Sequence, residues 1–160
     1  MRESENKVLA NSADIAHEVY GVILAAGNGS RLGYPNQLGG KAMVTVNGKP
    51  LLELALHKLK EAGIKKIAVV VNPQNCAVIR EYTANRQNFG VELCFVVQEY
   101  PLGIAHALSL CENITTNHNV ALLLVDNVFE AAVTDSVAAF VQQNAKAMVF
   151  LTEVDNPCAF

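Results

Sequence analysis

From Val19 onward the chain alternates short, nearly unbroken apolar runs with longer segments whose apolar residues recur at helical spacing. This alternation constrains the fold more than any other feature. Val19–Leu24, Ile67–Val71, Val91–Val97 and Val120–Val125 read as strands of near-continuous apolar character, with Ile67–Val71 the run rich in β-branched residues. Met43–Val46 reads as another strand, stopped by the turn pair Asn47-Gly48, and Ala147–Val154 as a final one. Between them, Pro50 occupies a first helical position, and Leu52, Leu56, Leu59 and Ala62 follow with a stop at Gly63. Further helices are expected over Gln74–Asn85, from Ile104 through Leu108 to Cys111, and over Ser136–Gln143. Strands alternating with helices in this way predict an α/β domain with a mostly parallel sheet flanked by helices. Ligands of such sheets bind beyond the carboxyl ends of the strands, near a switch point.

Residues 1–18 are polar and mixed in charge, and read as a leader or an extra helix ahead of the domain. The 160 residues are 51% apolar and 17% charged, enough to bury a core. A formal net charge of −3 argues against a general nucleic-acid binder, whose affinity rests on a basic surface. A small anionic ligand remains compatible, because a few cations and backbone amides suffice for it. No apolar run approaches the roughly 20 residues of a membrane span, and no signal-type stretch opens the chain. Cys76, Cys94, Cys111 and Cys158 are scattered, mostly in apolar surroundings that suit inert thiols. A reduced, soluble, cytoplasmic protein with no membrane or nucleic-acid partner is the expectation.

Four segments carry residues suited to chemistry. In Leu24-Ala25-Ala26-Gly27-Asn28-Gly29-Ser30-Arg31-Leu32 a strand delivers the chain to two glycines whose backbone can approach a ligand closely. Arg31 adds a planar fork suited to phosphate oxygens. Lys41 supplies a second cation ten residues after Arg31. In Gln98-Glu99-Tyr100-Pro101-Leu102-Gly103-Ile104-Ala105-His106-Ala107, Gln98 ends a strand with an amide able to match a nucleobase edge, and Gly103 opens a helix. In Leu124-Val125-Asp126-Asn127 a carboxylate ends a buried strand, placed to hold Mg²⁺ together with substrate phosphates. Taken singly, each also fits a plainer role: a glycine turn, a solvated cation, an ordinary strand-to-helix turn, a helix-capping Asp. His106 suits packing or surface better than catalysis, and His17, His57 and His118 read as solvated surface residues. The spacing Gly27-x-Gly29-x-x-x-Gly33 misses the dinucleotide fingerprint by one residue, and Ala42 after Gly40-Lys41 rules out a Walker A loop.

In order and spacing these segments resemble the sugar-1-phosphate nucleotidyltransferases, the family of glucose-1-phosphate thymidylyltransferase and its uridylyl relatives. The family signature Leu-Ala-(Gly or Ala)-Gly-x-Gly-(Thr or Ser)-Arg-Leu is matched at 24–32, the following Lys at Lys41 and a Lys-Pro at Lys49-Pro50. Gln-x-x-Pro-x-Gly-x-Ala-x-Ala is matched at 98–107 and Asp-Asn at 126–127, and residues 153–160 are similar to the stretch before the family's sugar-recognition residues. The resemblance spans 19–160 and implies a Rossmann-like nucleotidyltransferase fold, truncated here, with residues 19–160 as its nucleotide-binding part. It implies transfer of a nucleotidyl group from dTTP or UTP to a sugar-1-phosphate, with Mg²⁺ as cofactor and a homo-oligomeric assembly. Arg31 and Lys41 would be catalytic, holding the triphosphate, the departing pyrophosphate and the reacting centre. Leu24, Ala26, Gly27, Gly29, Ser30, Gln98, Pro101 and Gly103 would bind the nucleotide, with Gln98 and Gly103 reading the base, and Asp126 would bind the metal.

Three departures qualify what the resemblance implies. Val125 stands where the family has Gly, which puts a side chain near the bound sugar. Pro35 falls one residue late after Arg31. The family's sugar-binding Glu and Lys motifs and its second metal-binding Asp lie beyond the position matching Phe160, so the chain is expected to be a fragment. A truncated module that binds a nucleotide or a subunit without turnover is the alternative reading.

Overall fold

A computed structural model describes residues 18–27, 35–85 and 89–153. Strands β1 (Val19–Leu24), β4 (Lys66–Val71), β5 (Glu92–Val97) and β6 (Asn119–Leu124) form one sheet in the order β5-β4-β1-β6. Every pairing in it is parallel, with Leu24 opposite both Val70 and Leu124, and Val71 opposite Val97. The carboxyl ends of the four strands therefore reach the same edge. The chain runs outward from β1 through β4 to β5, then returns to lay β6 on the other side of β1. That reversal puts a switch point between β1 and β6.

Alternation along the strands divides the core into two layers. Val19, Ile23, Ile67, Val69 and Val71 face one side, where helix α1 (Leu51–Glu61) buries Leu52, Leu56 and Leu59 against them. Helix α2 (Cys76–Asn85) adds Ile79 to that layer, and α5 (Thr134–Gln142) packs Val137 and Val141 against it. Tyr20, Val22, Ala68 and Val70 face the other side, under Ala107 of α3 (Ile104–Ser109), buried Cys111 and Ile114 of α4 (Glu112–Thr115). Burial on both faces explains why the strands read as continuous apolar runs. Each fully buried Leu or Ile contributes about 1.5–3 kcal/mol relative to exposure. Gly21 allows α1 to lie close: a Cβ there would meet Leu59 Cδ1 at 2.9 Å.

The expected α/β class and helix-flanked parallel sheet are present; several boundaries differ. Met43–Val46 is not a single strand. Gly40–Met43 forms a 3₁₀ turn, and Thr45–Val46 (β2) pairs antiparallel with Lys49–Pro50 (β3) as a small hairpin. Its turn residues Asn47 and Gly48 both take positive φ, 51° and 76°, which suits a two-residue hairpin. Pro50 thus closes the hairpin instead of opening the helix, whose first residue is Leu51. The helix expected from Ile104 to Cys111 stops at Ser109 as α3, and a separate short helix, α4, begins at Glu112. Residues 147–153 form no strand, for they meet no partner among the described strands; Val154 lies outside the described residues.

Candidate functional site

The motifs converge where the fold places a ligand. A cleft of about 240 Å³ opens at the carboxyl ends of β1, β5 and β6. Leu24, Ala26 and Gly27 line it from the end of β1, Lys41 from the 3₁₀ turn, and Gln98, Pro101 and Gly103 from the β5–α3 loop. Asp126, two residues beyond β6, closes the remaining side with Val125. All the expected site residues among those described share this cleft. Arg31, Gly29 and Ser30 lie outside the described residues. Ile104, Ala107, Leu124 and Val125 complete the lining; of these the sequence had marked only Val125, as a side chain near the sugar, and Leu24 apart no other apolar wall. Val125 is also part of the α1-side core, which explains an apolar side chain immediately before the carboxylate.

Charge at the mouth is paired. Lys41 Nζ donates to Asp126 Oδ2 at 2.7 Å, with both side chains about a third exposed, 31% and 39%. Such partly solvated pairs contribute about 1 kcal/mol or less, so a ligand offering phosphate to the lysine and a cation to the carboxylate can separate them.

Gln98 is buried, only 7% exposed, yet lines the cleft. Its Nε2 donates to Gly103 O at 3.2 Å and lies 2.9 Å from His106 Nδ1. Gly103 has φ 98° and ψ 179°, a backbone state costly for any side chain. His106 is half-buried and stands behind the lining. Its one polar side-chain contact among the described residues is with Gln98. His57 lies beside Glu53 and edge-on to Phe89, and His118 edge-on to Tyr20, both away from the cleft; His17 lies outside the described residues.

Sequence reasoning missed two residues, Asn72 and Asn75, at the carboxyl end of β4. Asn72 Nδ2 donates to Ala26 O at 3.1 Å and Asn75 Nδ2 to Ala25 O at 2.9 Å. Asn72 Oδ1 accepts from the amides of Gln74 and Asn75, while Asn75 Oδ1 accepts from Asn72 N. Both are buried. They fix the backbone that leads into the glycine loop, so its carbonyls are satisfied before any ligand arrives. The available signal was an Asn-Pro-Gln-Asn run directly after a buried strand.

A larger cleft of about 630 Å³ lies along β6, bordered by Leu122, Phe129, Phe140 and residues 147–150. Its lining is mostly apolar, and Gly27, Lys41, Gln98, Gly103 and Asp126 are absent from it. Among the described residues no group of three metal-binding side chains occurs and no helix is long and apolar enough to cross a membrane. Burial, then the neighbouring Cys94 thiol, pushes the Cys111 thiol up to about 11, which makes it an inert core residue. Cys76 and Cys94 are half-buried.

Residues 20–160 match the family model described as nucleotidyl transferase. The chain belongs to that family. Among its relatives is the low-salt glycan biosynthesis nucleotidyltransferase Agl11 of Haloferax volcanii, 36% identical over 140 residues. That match covers 88% of this chain and 39% of the relative. The glucose-1-phosphate thymidylyltransferase of Neisseria meningitidis is 35% identical over 142 residues, covering 88% of this chain and 49% of the relative. A crystal structure of a Bacillus anthracis protein assigned as a glucose-1-phosphate thymidylyltransferase superposes with a TM-score of 0.73 at 32% identity. It covers 78% of this chain and 51% of that one. The chain thus spans about half the length of the relatives it matches, or less.

Proposed function

We propose that this chain supplies the nucleotide side of an active site that transfers a nucleotidyl group from dTTP or UTP to a sugar-1-phosphate, releasing pyrophosphate. The observation that carries this reading is the convergence of Gly27, Lys41, Gln98, Gly103 and Asp126 on one cleft at the switch point. The names of the relatives, thymidylyltransferase and uridylyltransferase among them, support the same substrate class. Residues 19–160 are the nucleotide-binding part in this reading.

The base is held near Gln98, Pro101 and Gly103, and the ribose and phosphates run past Leu24, Ala26 and Gly27 towards Lys41. Arg31, Gly29 and Ser30 belong to the same loop by sequence and are proposed to grip the triphosphate. Lys41 stabilises charge on the α-phosphate while a sugar-1-phosphate oxygen attacks phosphorus and the bond to pyrophosphate breaks. The donor set suits Mg²⁺: Asp126 offers a hard, partly exposed carboxylate that would hold the ion together with the ligand's phosphates. Bound there, Mg²⁺ would neutralise charge on the phosphates. Lys41, held to Asp126 by one partly exposed hydrogen bond, can turn its ammonium to the phosphates. Such a reaction is driven mainly by positioning and charge neutralisation, which these residue types provide.

The test is pyrophosphate release with UTP or dTTP, glucose-1-phosphate and Mg²⁺. Sugar-phosphate-dependent release is expected, and it should be lost in Asp126→Asn. Release that ignores the sugar phosphate would contradict the transfer reaction. Nucleotide binding without any release would favour the non-catalytic module.

A further inference from the structure

The hydrogen bonds around Gln98 fix which way its amide points. A backbone carbonyl only accepts, so the amide atom 3.2 Å from Gly103 O is the NH₂ group. That same nitrogen lies 2.9 Å from His106 Nδ1. With one hydrogen given to Gly103, the other is free for the imidazole, and Nδ1 must be its unprotonated acceptor. Both donors of Gln98 are then engaged, and Oε1 accepts from no described residue. An amide that lines the cleft in this state offers it an acceptor.

We propose that His106 is a positioning residue for base selection: it locks the Gln98 amide so that Oε1 accepts the ring N–H of a uracil or thymine. The proposal rests on the base-reading role of Gln98 proposed above and adds the residue that sets its polarity. Uracil and thymine carry a ring N–H between two carbonyls. Cytosine carries a bare ring nitrogen in its place, which would face Oε1 acceptor to acceptor. Without an acceptor at position 106 the amide loses one of its two anchors. It can then rotate to present NH₂ instead, which accommodates cytosine. His106 does not line the cleft, so its effect passes through Gln98 alone.

The experiment compares binding of UTP, CTP and inorganic tripolyphosphate to the wild-type chain, His106→Leu and His106→Gln. The wild type is expected to prefer UTP. In His106→Leu the UTP-to-CTP ratio should fall about tenfold, the equivalent of one hydrogen bond near 1.4 kcal/mol. Tripolyphosphate affinity should hold within about twofold, which also reports a folded site. His106→Gln restores an acceptor carbonyl and should recover most of the ratio. Nitrogen-15 NMR of the wild type should show His106 with Nδ1 bare and Nε2 protonated. A wild type that prefers UTP, with His106→Leu equally selective, would overturn this proposal and leave the base-reading role of Gln98 standing. A wild type with no preference would overturn both. A protonated Nδ1 at neutral pH would overturn the lock by itself.

Discussion

Lys41 and Asp126 are 85 positions apart in sequence and share a hydrogen bond at the mouth of the cleft. Neither is needed for folding on this account, because both are partly exposed and the pair is worth about 1 kcal/mol at most. Lys41→Ala should therefore weaken triphosphate binding by about 1.5–3 kcal/mol, the usual range for a hydrogen bond to a charged group. Its urea midpoint should barely move. Calorimetry and chemical denaturation on one preparation check both statements. Arg31→Ala is expected to weaken triphosphate binding by a similar 1.5–3 kcal/mol, and unchanged affinity would make the glycine loop structural only. Asp126 was legible because it closely follows a buried strand, whereas Lys41 was marked by its spacing ten residues after Arg31 and lies in the 3₁₀ turn Gly40–Met43. Asn72 and Asn75 were not legible. Their partners are Ala26 and Ala25, 46 and 50 positions earlier, and nothing local marks that a polar loop will be buried there.

At the scale of elements, apolar periodicity located the parallel sheet and helix α1 because burial on both faces leaves few choices of residue. Leu56 is 1% exposed within α1, and Leu56→Ala should cost about 2–5 kcal/mol of stability, measured by denaturant unfolding. Asn75→Ala should cost about 1–3 kcal/mol by leaving Ala25 O and Asn72 N without their side-chain partner. It should also weaken triphosphate binding, since the loop it holds belongs to the cleft. The elements misread were those decided by pairing. Met43–Val46 looked like one strand, but positive φ at Gly39 and Gly40 tightens the chain into a turn before the short hairpin. Residues 147–153 have strand composition, yet a strand exists only with a neighbour. Sequence composition carries no information on whether one is there.

For the molecule as a whole, apolar surface gathers beside β6. Val149 and Leu151 are 75% and 90% exposed, and Phe150 is half-exposed against Phe129. Such a patch next to a strand edge favours association. The 160-residue chain is expected to self-associate with rising concentration in sedimentation velocity, and Val149→Lys with Leu151→Lys should shift it towards monomer. The proposed nucleotide cleft lies at the carboxyl ends of the strands, so the double variant should keep its affinity for UTP. The claim that this cleft is where the nucleotide binds is tested most directly by NMR. Mg²⁺-UTP titrated into nitrogen-15-labelled protein should shift the amides of Gly27, Lys41, Gln98, Gly103 and Asp126 and leave those of Leu122, Phe140 and Val149 in place. Shifts concentrated along β6 instead, or an equal response to ATP at the same concentration, would contradict it.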